Sequence, residues 1–341
     1  MKLKIGGSQL KDNLHHLERW RAGDNPGPLI VEISPTYGCN HDCVHCSYQQ
    51  YSPYDRYKFL SDSVVLKQFL SEFKSLGGVE VYFAGTGEPM MNSLLTEWIQ
   101  YGYNIGLNVT LGTNGVLLNS QKMKGILPFV KWIKFSVNGG DRVTYTKVHR
   151  CNATDFDRLI RNLENAVQYR DSYNLDVRLV IQFLTSNFNW TSIPSILNIH
   201  KNIGTDLLIF RNAIPKDGPL IYSQDIIKTL KEINAEEKVH IRWDTYQQRI
   251  NNFGWEKCYG INFRTNMDYE GNLFTCFRHC FRNSTYGNIF NERFMNIWNS
   301  TRKKKIFSEV EEELDRPDCK KWCQVAYDNV FLRDYLEERE K

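Results

Sequence analysis

Cys39, Cys43 and Cys46 stand at spacing C-x3-C-x2-C, directly behind the apolar run Leu29-Ile30-Val31-Glu32-Ile33. That order reads as a strand followed by a cysteine loop. Three thiolates can hold three corners of a [4Fe–4S] cube, whose full ligation takes four. No fourth cysteine lies nearby, so one iron is left open to bind something else. The alternative for the same thiols is a structural zinc site, although zinc sites usually pair C-x2-C with a second ligand pair. Cys258, Cys276, Cys280, Cys319 and Cys323 form a second set towards the C-terminus, and Cys151 stands between the two sets.

The first spacing closely resembles the signature of the radical S-adenosylmethionine (SAM) enzymes. The resemblance implies that the amino and carboxylate groups of SAM chelate the open iron. It also implies that one electron from the cluster splits the sulfonium and yields a 5′-deoxyadenosyl radical. Such chemistry belongs to the cofactor, and the protein supplies position and electrostatics. Gly85-Thr86-Gly87-Glu88-Pro89 is similar to the Gly-Gly-Glu segment with which the family holds the SAM amino group. Glycines let backbone approach a ligand closely, and an ammonium seeks a carboxylate or carbonyls. An ordinary strand-to-helix turn, with Glu88 favoured by the helix dipole, is the other reading. Asn114, Ser136 and Asn138 resemble the family's polar residues at strand ends, suited to ribose hydroxyls or the SAM carboxylate. Arg150 stands where a family arginine reaches that carboxylate. For these four, a plain turn role is equally open.

The elements that must position these groups follow from periodicity. Ser61 is expected to cap a helix carrying Val65, Phe69, Phe73 and Leu76, stopped at Gly77-Gly78. Further strands are expected at Val79–Ala84, Gly106–Leu111, Trp132–Val137, Val177–Leu184 and Leu207–Phe210. Between them fall helical patterns, the longest from about Asp155 to Tyr173. Strands alternating with helices imply an α/β fold with a parallel sheet and right-handed crossovers. Six such units predict a partial (β/α)6 TIM-like barrel, with a doubly wound open sheet as the alternative. Either fold places ligands at the C-terminal ends of the strands. The cysteine loop and the loops at Gly85, Asn114 and Asn138 each follow a strand, so all four are expected on one rim. Arg178 and Gln182, at even spacing on the fifth strand, face either the barrel interior or the sheet's other side.

From about His240 the strand–helix rhythm ends. Cys258-x12-Gly271-x4-Cys276 strongly resembles the opening of SPASM and Twitch auxiliary-cluster domains, and Glu270-Gly271-Asn272 is a credible hairpin turn. The shorter Twitch form, with one extra [4Fe–4S] cluster, fits five cysteines better than the full SPASM form. The resemblance implies Cys258, Cys276, Cys319 and Cys323 as ligands; a zinc ribbon from the same four is the alternative. Cys280 is a possible hydrogen-atom donor to a substrate radical, and Cys151 reads as a plain buried thiol. The expected organisation is a lead-in at residues 1–28, a barrel at 29–239 and an iron–sulfur domain at 240–341, with a β-hairpin and a C-terminal helix.

Composition sets the outer limits. The chain has 341 residues, 41% hydrophobic and 24% charged, as in a globular protein. A net charge of +4 is too weak to argue for a nucleic-acid partner. Lys303-Lys304-Lys305, followed by Glu311-Glu312-Glu313, reads as a solvated helix surface. Met1 to Pro28 lacks the apolar core of a signal peptide, and no apolar run is long enough to span a membrane. Nine cysteines without a secretion signal fit metal or redox chemistry in the cytoplasm. The resemblance implies SAM and two [4Fe–4S] clusters as cofactors, and flavodoxin or ferredoxin as electron donor. The expected reaction is hydrogen abstraction from a C–H bond, ending in oxidation or epimerisation. A carbohydrate or aminocyclitol is the expected substrate, a ribosomal peptide the runner-up, and a non-catalytic iron–sulfur redox protein the reading from another class.

Overall fold

The computed structural model describes residues 8–46, 58–213, 223–246, 257–276, 284–312, 323 and 325–338. The chain begins with helices α1 (Ser8–Asp12) and α2 (Leu14–Arg21), then strand β1 (Ile30–Ile33). Next come α3 (Ser63–Ser75), β2 (Glu80–Phe83), α4 (Leu95–Asn104), β3 (Asn108–Thr113), α5 (Ser120–Ile126) and β4 (Trp132–Ser136). Two helices follow, α6 (Arg142–His149) and α7 (Ala153–Ser172), before β5 (Arg178–Thr185), α8 (Ile193–Ile203) and β6 (Leu207–Asn212). Then α9 (Gln224–Ile233), β7 (Val239–Ile241) and α10 (Trp243–Tyr246) lead towards the C-terminal part. That part holds β8 (Arg264–Met267), β9 (Asn272–Phe274), β10 (Gly287–Asn288), α11 (Phe294–Asn299), α12 (Thr301–Glu312) and α13 (Ala326–Glu337).

The ten strands of the described residues join one sheet in the order β10-β9-β8-β1-β2-β3-β4-β5-β6-β7. The six expected strand–helix units form the α/β partial barrel, and β7 extends one edge by parallel pairing with β6. At the other edge β8 pairs in parallel with β1, Ile33 opposite Met267. The hairpin of β8 and β9 thus hangs directly on the strand that precedes the cysteine loop. Gly271 makes its turn with φ +76°, and Asp268 Oδ1 accepts the Glu270 and Asn272 N–H groups.

The two faces of the sheet differ in chemistry. Val31, Ile33, Val81, Phe83, Ile133 and Phe135 are buried under the helices. The alternate residues Glu32, Tyr82 and Lys134, with Arg178 of β5, share the opposite, inner face through the registers Glu32↔Tyr82, Tyr82↔Thr110, Thr110↔Trp132 and Trp132↔Arg178.

Several expectations shift. Asp62, not Ser61, caps α3: its Oδ1 accepts the Val64 and Val65 N–H groups, a role for which a carboxylate at that position is better placed. The long helix α7 begins at Ala153, and α6 before it has no apolar stripe long enough to announce it. Lys303 is not solvated. Its ammonium sits 4.2 Å from the ring centroids of both Trp298 and Phe307 and donates to Asn25 Oδ1, while Lys304 and Lys305 remain exposed. Helix periodicity turns Lys303 inward with Phe307 and Val310, and the ring faces replace part of its hydration. Cys151 is half-buried beside Asp155, and burial pushes its thiol up to about 12.

The polar lead-in also takes part in packing. Leu10 and Leu17 join Leu29, Phe263, Leu332 and Tyr335 in a second core that staples both ends of the chain together. Leu17→Ala is therefore expected to lower unfolding free energy by about 2–5 kcal/mol. Leu14→Ala, at a side chain 44% exposed, is expected to stay within about 0.5 kcal/mol of wild type. Anaerobic urea unfolding measures both, and equal small effects would mean the lead-in is not docked as described.

Candidate active site

The cysteine loop is held by backbone at both flanks. After β1, Thr36 Oγ1 donates to Lys58 O, and the Gly38 carbonyl accepts the Glu88 N–H at 2.8 Å. Further on, the Asp42 and Val44 N–H groups donate to the His149 and Val148 carbonyls, at 3.0 and 2.9 Å. These are carbonyls of the last turn of α6, which have no partner within their own helix. Arg150, in the left-handed region at φ 46°, lies 3.7 Å from Asp42 in an exposed ion pair on the same loop.

The loop after β2 lies against the cysteine loop. Gly85 and Gly87 have φ of +82° and +70°. A Cβ on Gly85 would meet Ser34 Oγ at 2.0 Å, and one on Gly87 would meet the Gly38 carbonyl oxygen at 2.3 Å. Glycine is needed for both backbone shape and space. Thr86 adds two bonds: its N–H donates to Ser34 Oγ and its hydroxyl to Thr36 O.

Glu88 is buried, with three donors on its carboxylate. Thr113 Oγ1 and the Met90 N–H serve Oε1, at 2.6 and 3.1 Å, and the Asn114 N–H serves Oε2 at 2.7 Å. Burial outweighs these donors and raises its pKa. Asn114 reaches the cysteine loop through Nδ2, which donates to Asn40 Oδ1 at 2.7 Å. Asn138 is a further node: its Nδ2 lies 3.1 Å from His45 Nε2, and its Oδ1 accepts the Leu184 N–H. Ser136 ends β4 half-buried, on the same face as Gln182. The four loops expected on one rim are thus hydrogen-bonded to one another, with most side-chain capacity of Glu88 and Asn138 spent in joining them.

The three thiols suit iron. Burial, and then Cys39, Cys46 and Cys151 as neighbouring negative charges, push the Cys43 thiol well up. A bound cation reverses that repulsion. The His41 N–H already points at Cys39 Sγ, 3.4 Å away. Sequence reasoning passed over His41, His149 and Asp155, which close around Cys43 and Cys151. Two histidines inside or beside the motif were the available signal.

In the C-terminal part, Cys258 is buried and accepts from Asn329 Nδ2 at 3.4 Å, while Asn329 Oδ1 accepts the Gly260 N–H. Cys276 follows β9, and Cys323 packs against the core. Cys280 and Cys319 lie outside the described residues.

Residues 33–182 match the radical SAM superfamily, and residues 258–325 match the iron–sulfur cluster-binding domain called SPASM. The chain is a radical SAM protein with a C-terminal SPASM-type domain. SAM and iron–sulfur clusters are its cofactors. It is 28% identical to an AdoMet-dependent heme synthase of Methanosarcina barkeri, over 91% of this chain and 95% of that one. It is 26% identical to a PqqA peptide cyclase of Bradyrhizobium diazoefficiens, over 54% of this chain and 47% of that one. Among solved structures it resembles Streptococcus suis SuiB bound to the precursor peptide SuiA, with TM-score 0.68, 13% identity, and coverage of 96% of this chain and 76% of that one.

Below the rim, the inner face of this radical SAM protein is cationic. Lys134 lies with its ammonium 5.0 Å from the Tyr82 ring centroid and 6.0 Å from that of Trp132. Protein surrounds it, yet Lys134, Tyr82, Trp132 and Arg211 all keep partial solvent access, whereas Ile133 and Phe135 on the other face have none. Burial, then Arg211, lowers the Lys134 ammonium to about 8; Arg264 and Arg242 act in the same sense and Glu32 opposes them. Arg264 lies 4.0 Å from Glu32. Arg178 and Gln182 belong to this inner face too. The signal for Lys134 was its even spacing with Trp132 and Ser136 in a strand that otherwise reads as core.

The loop contact at Gly87 can be separated from simple backbone strain. Gly87→Ala is expected to cost about 2–4 kcal/mol, from left-handed backbone plus overpacking. Gly106→Ala is expected to cost about 1–2 kcal/mol, since its φ is +79° but a Cβ there meets nothing nearer than Lys74 Nζ at 3.8 Å. Equal losses in chemical unfolding would show that the two loops do not touch.

Proposed function

We propose that this radical SAM enzyme abstracts a hydrogen atom from a C–H bond of an acidic substrate, and that the substrate is a peptide carrying carboxylate side chains. The observation that carries the reading is the inner face of the barrel. Around Lys134 the described residues bring together the guanidinium groups of Arg211, Arg264 and Arg242 and the carboxylate of Glu32, with Glu80 near Tyr82 and Asp328 near Arg264 as further acids. Guanidinium groups pair with carboxylates through matched hydrogen bonds. A neutral sugar or an aminocyclitol cation needs no such lining. Likeness to a peptide cyclase in sequence and to a peptide-bound enzyme in fold supports the peptide over the sugar.

In this reading Cys39, Cys43 and Cys46 would hold the first iron–sulfur cluster, which would supply one-electron chemistry to bound SAM. The Gly85–Glu88 loop, with Asn114, Ser136, Asn138 and Arg150, shapes the SAM pocket. Cys258, Cys276, Cys319 and Cys323 would hold a second cluster able to accept one electron, with the substrate's proton passing to solvent or a base. The attachment of β8 alongside β1 supports that route, because it joins the auxiliary hairpin to the strand leading into the first cluster. Cys280 is the alternative fate of the radical, as a hydrogen donor. Likeness over nearly the whole length of a heme synthase favours a second reading, a carboxylate-bearing heme precursor.

Wild type is expected to bind about 8 Fe after anaerobic reconstitution, and Cys39/Cys43/Cys46→Ala about 4. A wild-type value near 4 would remove the second cluster. For the substrate, SAM cleavage is run with deuterated Glu- and Asp-rich peptides, Lys-rich peptides, an aminocyclitol, or coproporphyrin. Deuterium is expected in 5′-deoxyadenosine from the acidic peptides. Transfer from the aminocyclitol alone would reinstate the sugar reading, and transfer from coproporphyrin alone the heme reading. With acidic peptides, KM is expected to rise as pH passes upward through about 8, where Lys134 loses its charge. Lys134→Met is expected to raise KM at least about tenfold, one lost charged contact, and to flatten that pH profile.

A further inference from the structure

A histidine outside the cysteine motif touches its middle thiol. His149, the last residue of α6, is buried, and its ring stacks on Tyr145 with centroids 4.1 Å apart. Its two nitrogens have different partners. The Asn138 N–H points at Nε2 from 3.1 Å, so Nε2 must offer a lone pair. The ring proton therefore belongs on Nδ1. From Nδ1, Cys43 Sγ lies at 3.3 Å and His41 Nδ1 at 3.2 Å.

The next ring agrees with that tautomer. If His149 Nδ1 donates, His41 Nδ1 accepts, and the proton of His41 must sit on Nε2. His41 Nε2 lies 3.3 Å from the carboxylate of Asp155, off the line of a good hydrogen bond but beside the charge that favours an N–H there. Asp155 is in turn held by Arg158 at 3.1 Å. The two tautomers are thus mutually consistent, and the one Nδ1 proton of His149 has two acceptors within reach, Cys43 Sγ and His41 Nδ1. The backbone N–H of Asn138 cannot change role, because an amide nitrogen only donates.

We propose that His149 is a positioning residue of the first iron–sulfur site: its Nδ1–H is aimed at the Cys43 sulfur, in competition with His41, and makes that cluster easier to reduce. The proposal rests on the reading of Cys43 as a cluster ligand. An N–H aimed at a ligand sulfur stabilises the electron-rich, reduced form, and hydrogen bonds to sulfur are among the determinants of cluster potential. The His149 and Val148 carbonyls also hold the Asp42 and Val44 N–H groups, so donor and ligand are fixed in one frame.

The test is an EPR redox titration of the reconstituted full-length enzyme, following the reduced signal that changes on addition of SAM. His149→Phe keeps an aromatic ring against Tyr145 but has no donor. Its reduced-to-oxidised ratio at a fixed poise is expected to fall about tenfold, or ~59 mV for one electron, with iron and sulfide content unchanged. His41→Phe removes the competing acceptor, so its shift is expected in the opposite direction. A purely structural role would move both variants the same way, and that result overturns the proposal, as does an unchanged potential in His149→Phe. Should His149→Phe lose its iron, pulsed EPR on His41→Phe carrying histidine labelled with 15N at ring Nδ1 alone decides. A weak histidine 15N coupling to the reduced cluster sustains the hydrogen bond, while no coupling, or the large coupling of a directly bonded nitrogen, overturns it. A different failure, wild type that binds no iron at Cys39, Cys43 and Cys46, sinks the ligand reading itself.

Discussion

The site depends on one close approach, that of the Gly87 backbone to the Gly38 carbonyl. The cysteine loop has no regular structure of its own between β1 and the last described residue before position 47, so its shape must come from what it leans on. On one flank it leans on the glycine turn after β2; on the other, on the open carbonyls of α6. Both supports are backbone groups. A loop fixed in this way can present three thiols and two histidines without spending side-chain interactions on its own order.

That arrangement follows from the sheet. Parallel pairing from β8 through β7 puts every strand's carboxyl end at one rim, so four separate sequence segments must meet there. Once they meet, buried polar groups need partners. Glu88 illustrates the outcome: a carboxylate read from sequence as a ligand for an ammonium accepts two hydrogen bonds from Thr113 and Asn114 at the end of β3 and one from Met90 in its own loop. Asn138 joins the cysteine loop, β5 and His149 in the same way.

The parallel strands and the meeting of the motif loops were legible because hydrophobic periodicity and cysteine or glycine spacing are local properties. Tertiary pairing is not local. Nothing in Arg264–Met267 announces that it lies beside Ile30–Ile33, and nothing in a polar N-terminus announces that Leu10 and Leu17 close a core with Tyr335. Lys303 failed for a related reason: charge pattern says solvent, but helix phase put this lysine between two aromatic rings. His149 was unreadable because its significance lies in which backbone N–H faces which ring nitrogen, over a gap of more than a hundred residues to Cys43.

The two faces of one sheet divide the work between packing and polar chemistry. Outward residues are apolar and give the helices a surface to bury, which is where most of the stability lies. Inward residues are mixed: Val180, Leu207 and Ile209 pack as a small apolar cluster, while Glu32, Lys134 and Arg211 are charged, at a desolvation cost that the depressed Lys134 ammonium makes visible. Such a cost is sustained only where the lining retains some water or meets opposite charge. Partial solvent access at Lys134, Tyr82 and Arg211 supplies the first, and an anionic substrate bound against them would supply the second. That cationic wall lies on strands of the same parallel sheet as β1, whose carboxyl end leads into the thiol loop.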